Sequence, residues 1–109
     1  MNWTAGAMVF SGRPDPQWVL PPERVHELTA LWRALAPASQ PAAPRAVLGY
    51  RGCWISDPHG ARIAAFDGVV VHEAHGGRAA EARVDEGRRF ERAVLATAPA
   101  GVLPPGTTP

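Results

Sequence analysis

The sequence has no lysine, one cysteine and one tyrosine, and aromatic residues make up only 7% of it. Each shortage excludes something. A single cysteine, Cys53, leaves no partner for an intramolecular disulfide and too few thiolates for a cysteine-based zinc cluster. Eleven basic residues, all arginine, stand against ten acidic ones, for a net charge of +1. That balance lacks the electrostatic footprint of a general nucleic-acid binder. No apolar run approaches the roughly 18 residues that a membrane-spanning helix needs. The first ten residues have neither a basic start nor a long apolar stretch, so they do not read as a secretory signal. The glycines form no Gly-x-Gly-x-x-Gly and no phosphate loop, so no nucleotide cofactor is expected. These absences predict a small cytoplasmic domain without cofactors.

Alanine, glycine, proline and arginine together make up about half of the 109 residues. The length fits one domain. Two stretches have little to bury. Residues 37–45 form a Pro/Ala linker, because proline fixes its own φ and restricts the residue before it. The tail, residues 99–109, is rich in proline, glycine and threonine. A single domain over residues 1–98 remains, broken by the linker.

Periodicity predicts the elements. Trp3–Phe10 reads as a strand, Ser11–Pro16 as a turn and Gln17–Leu20 as a return strand. Val25, Leu28, Trp32 and Leu35 recur at helical spacing, so Glu23–Leu35 reads as a helix that Pro37 stops. Ala46–Ser56 reads as a long strand. Asp67-Gly68 predicts a two-residue hairpin joining Ala61–Phe66 to Val69–Ala74. That register pairs Phe66 with Val69, Ala64 with Val71, and Arg62 with Glu73. Ala79–Thr97 reads as a second helix, with Asp85 as a possible cap if it starts late. The expected fold is α+β: an antiparallel sheet of about five strands packed with two helices.

The strands carry apolar residues on both faces. Phe66, Val69 and Val71 share one face of the hairpin, while Ile63, Ala65 and Val70 share the other. A sheet with one wet face should alternate apolar with polar. Two helices on one face would leave the other open, and a monomer rarely leaves such a patch exposed. A homodimer or a bound partner chain is therefore expected, with a half-barrel as the alternative.

Few residues offer chemistry. His72 and His75 are three apart on a strand, where they point to opposite faces, unlike the two helical histidines of a zinc protease. They define one alternative, a small metal-assisted enzyme. Cys53 lies in an apolar strand that favours an inert thiol. Ser56, Asp57 and His59 crowd one turn and are better explained by turn chemistry than by a triad. Tyr50, Arg51 and Trp54 are of the types that anchor interfaces. With Arg13, which could bind a carboxylate, they are the candidate interface residues.

Phe10-Ser11-Gly12-Arg13-Pro14-Asp15-Pro16-Gln17-Trp18 resembles a segment of the peptide-binding domains of crocagin-type pyrroloindoline-alkaloid biosynthesis. The likeness covers nine residues and a similar strand and helix order. No binding residue is carried over by it. The resemblance implies a dimeric, non-catalytic protein that holds a ribosomally made precursor peptide for tailoring enzymes. For such a peptide, Tyr50, Arg51, Trp54 and Arg13 are the candidate peptide-binding residues, and Trp3–Phe10 and Ala46–Ser56 the candidate edges for strand addition. The alternative outside that class is a structural or regulatory subunit of an enzyme complex.

Overall fold

The computed structural model describes residues 2–9, 14–38, 50–74, 78–104 and 107. The fold is α+β. The elements run β1 (Trp3–Ala7), β2 (Gln17–Leu20), α1 (Pro22–Ala34), β3 (Cys53–Ser56), β4 (Arg62–Phe66), β5 (Val69–Ala74), β6 (Arg78–Val84), a short 3-10 turn (Glu86–Arg88) and α2 (Arg89–Ala96). All six strands join one antiparallel sheet in the order β2-β1-β3-β4-β5-β6.

Local chemistry accounts for the elements that the sequence predicts. Pro21 and Pro22 open α1, Glu23 lies in its first turn and Arg33 in its last. The Asp67-Gly68 hairpin has the expected register, with both turn residues at positive φ (53° and 84°).

Three expectations are corrected. The sheet has six strands rather than five, because Arg78–Val84 is a strand and not the start of a helix. Its ladder with β5 overrides the helix propensity of its alanines. The last helix is only Arg89–Ala96, since Gly87 and Arg88 both turn to positive φ immediately before it. The strand expected over Ala46–Ser56 is described only as Cys53–Ser56. Gly52, at φ 110°, breaks it, and residues 46–49 lie outside the described residues.

Both helices pack on one face of the sheet. Ala5, Ala7, Trp18, Leu20, Cys53, Ile55, Ile63, Ala65 and Val70 point inward from the strands. They meet Leu28, Trp32 and Leu35 from the α1 side and Phe90, Val94 and Leu95 from α2. The opposite face carries the row Gly6, Trp54, Ala64, Val71 and Ala82, aligned by register across five strands. Phe66, Val69 and Val84 extend it, and Val84 is 43% exposed.

Candidate functional site

The sheet topology relocates the available edges. Trp3–Phe10 and Ala46–Ser56 were the expected edges, yet β1 lies between β2 and β3, and β3 lies between β1 and β4. The true edges are β2 and β6. The chain itself closes the second half of β6. Val84 N–H donates to Ala36 C=O at 2.8 Å, and Ala38 N–H donates to Ala82 C=O at 2.9 Å. Arg83 anchors this closure, with its guanidinium donating to the carbonyls of Trp32, Arg33 and Leu35 at 3.0–3.3 Å.

Edge β2 is different. Ala7 N–H donates to Pro16 C=O at 3.2 Å, which sets the alternation of the β1–β2 ladder. Trp18 and Leu20 then turn their backbone groups toward β1. Gln17 and Val19 turn theirs outward, and among the described residues no backbone bond reaches them. The same alternation buries Trp18 and Leu20 and leaves Val19 58% exposed. Prolines 16 and 21 bracket this edge, so it offers two outward residues and no more.

A groove of about 360 Å³ opens between α1 and α2 at the β2 end of the helical layer. Its walls include Leu28 and Leu31 on one side and Ala93 and Thr97 on the other. Thr97 places it, because its Oγ1 accepts from Trp18 Nε1 of β2 at 2.9 Å.

The residues expected to bind peptide are dispersed. Trp54 is on the helix-free face but only 6% exposed. Its indole lies across Gly6, where a Cβ would collide with it, and Arg62 stacks over it at 4.3 Å. Arg51 donates its backbone N–H to Met8 C=O at 2.7 Å, extending the β1–β3 pairing. Arg13 lies outside the described residues. Tyr50 turns toward α2, donating its hydroxyl to Glu91 Oε2 while its ring meets Phe66 edge-on at 6.2 Å.

Glu91 is fully buried, and its Oε1 has no hydrogen-bond partner. Burial pushes its carboxyl above the usual range, against the opposing pull of the Tyr50 hydroxyl. Burial likewise raises Tyr50 well above an ordinary phenol, helped by Cys53 and by the Glu91 hydrogen bond and charge. Cys53 is fully buried and donates to Glu91 C=O at 3.6 Å. Desolvation, then Glu91, pushes its thiol up, so its surroundings favour the unreactive form.

His72 packs its ring 6.2 Å from Trp32 on the helix-covered side, and His75 lies outside the described residues. Among the described residues no three metal-ligating side chains converge, and no helix is long and apolar enough to cross a membrane.

Sequence reasoning missed Val19 and Glu91. Val19 was signalled by its place between two apolar residues at period two. Glu91 was signalled by falling on the same helix face as Phe90, Val94 and Leu95. No protein-family model, curated protein or solved structure matches the chain.

Proposed function

We propose that this is a non-catalytic peptide-binding protein that holds a ribosomally synthesised precursor peptide for tailoring enzymes in natural-product biosynthesis. The peptide adds as a strand to β2. The carrying observation is the outward-facing backbone of Gln17 and Val19 at a sheet edge beside an apolar groove. An added strand would form main-chain hydrogen bonds there and send alternate side chains toward the two sheet faces. Those on the helical side would reach the groove above Trp18 and Thr97. The working form in this reading is a cytoplasmic homodimer, supported by Val84, the exposed apolar residue at the end of the helix-free row.

The test is a search of the gene's neighbourhood for a short precursor-peptide gene, followed by titration of purified protein with the peptide it encodes. Binding at tens of micromolar or tighter is expected, and no binding in that range overturns the proposal. Val19→Pro removes one outward N–H without touching the core. It should weaken binding while leaving the melting temperature within a few degrees of the native protein.

A further inference from the structure

The β2 edge sets a reading frame for the peptide, an inference that rests on strand addition at β2. The flanking prolines fix its length. Pro16 C=O already accepts from Ala7 N–H. Pro21 has no N–H, and its C=O accepts from Arg24 and Val25 at 3.0 and 3.1 Å. Between the two prolines only Gln17 and Val19 turn their backbone groups outward. Each offers one N–H and one C=O. A strand laid antiparallel to β2, the orientation of every pair in this sheet, can therefore form four main-chain hydrogen bonds. All four go to two peptide residues, one opposite Val19 and, two positions later, one opposite Gln17. The peptide residue between them turns its own N–H and C=O to solvent.

Side chains follow the same alternation. Trp18 and Leu20 are buried on the helical side, so Gln17 and Val19 stand on the helix-free face. The first and third residues of the peptide triplet stand there beside them, and the middle side chain points to the other face. Opposite Val19, which is 58% exposed, the first residue meets an aliphatic side chain. Opposite Gln17 the third residue meets an exposed amide.

Formal charge stands apart from Val19. Its register row continues through Thr4 and Ser56, both uncharged, and reaches Arg62 only on the fourth strand, where the guanidinium lies over Trp54. The nearest charged residues along the chain are acidic on both sides. Asp15 accepts Val9 N–H through its carboxylate at 2.8 Å, and Glu23 lies in the first turn of α1. Arg24, beside Glu23, is paired with Glu27 at 3.0 Å. An acidic peptide residue opposite Val19 would gain nothing from the valine and meet no cation in that row.

We propose that β2 reads a peptide triplet in the antiparallel direction. Its first residue is aliphatic and packs on Val19. Its middle residue leaves its backbone amide unused. Its third residue carries an amide or hydroxyl side chain opposite Gln17.

The test is fluorescence anisotropy on the full chain, with labelled nonapeptides whose central triplet is isoleucine-alanine-glutamine and with the precursor peptide as reference. N-methylation of the isoleucine or of the glutamine should weaken binding by about tenfold, because each loses a main-chain hydrogen bond at the edge. N-methylation of the central alanine should leave the affinity within about twofold. Aspartate in place of the isoleucine should weaken binding by about threefold, and Val19→Lys should reverse that preference. The melting temperature of Val19→Lys should stay within a few degrees of the native protein, since the side chain is exposed. Equal loss from all three N-methylations, an unchanged isoleucine preference in Val19→Lys, or no binding of the nonapeptides overturns the inference and leaves the proposed function to the precursor titration. If the precursor does not bind the native protein, the proposed function itself falls.

Discussion

Arg83 stacks its guanidinium 4.6 Å above the Trp32 ring and bonds the Trp32 backbone carbonyl with the same group. It also takes the carbonyls of Arg33 and Leu35, while Glu81 holds the other side of its fork. The last turn of a helix has carbonyls without partners of their own, and a cation there also opposes the helix dipole. One side chain from β6 therefore ends α1 and pins it to the sheet.

Arg83→Ala should cost about 1–3 kcal/mol, from three charge-assisted hydrogen bonds and a stacked cation. Arg83→Lys should recover only part of it, because an ammonium lacks the planar fork. Urea denaturation measures both. If Arg83→Lys were as stable as the native protein, the planar guanidinium geometry would carry no weight.

Asp85 is 1% exposed and accepts the N–H groups of Phe90 and Glu91 at 2.8 and 3.0 Å. It caps α2 from outside the helix. Asp85→Ala would orphan two buried donors and is expected to destabilise the protein by about 1–3 kcal/mol. Asp85→Asn should lose less. Amide hydrogen exchange at Phe90 and Glu91 should accelerate first.

Glu91 sets a pH dependence. Its folded-state carboxyl is raised by burial, so the folded protein holds a proton that the unfolded chain releases near pH 4.3. Stability from this group is full below that pH and declines as pH rises toward the folded-state value. Glu91→Gln keeps a neutral group of similar shape. It should flatten the decline above pH 4.3 and leave the protein at least as stable at pH 7. Chemical denaturation across pH 4–9 decides the matter, and a native protein that gains stability on the alkaline side would refute the assignment.

Gly6 is required by its neighbour. A Cβ there would overlap the Trp54 indole and sit 3.0 Å from Pro16 C=O. Gly6→Val should cost about 1–3 kcal/mol through overpacking. Adding Trp54→Leu should recover part of that loss, giving a coupling energy of at least ~0.5 kcal/mol in a double-mutant cycle. Additive losses would show that the two residues do not meet.

The Asp67-Gly68 hairpin, helix α1 and the Gln17–Leu20 strand were legible because each rests on contacts within a few residues. Turn glycine, proline at a helix start and period-two burial are local properties. Arg78–Val84 was misread for the complementary reason. Its alanines favour a helix by themselves, and only pairing with Val69–Ala74 makes it a strand. The same limit held at the site. Tyr50 and Trp54 were singled out by type, but type does not tell a residue stacked under Arg62 from one facing a ligand.

Composition and short-range patterning thus determine the class of the domain, the places where its chain turns, and the apolar character of both sheet faces. Strand order is decided only when distant segments pair, and with it comes the identity of the edges. The second half of edge β6 is closed because Ala36–Ala38 returns to it, and β2 is open because nothing among the described residues does. A backbone amide carries the same chemistry in every strand, so its availability is a property of the assembled sheet.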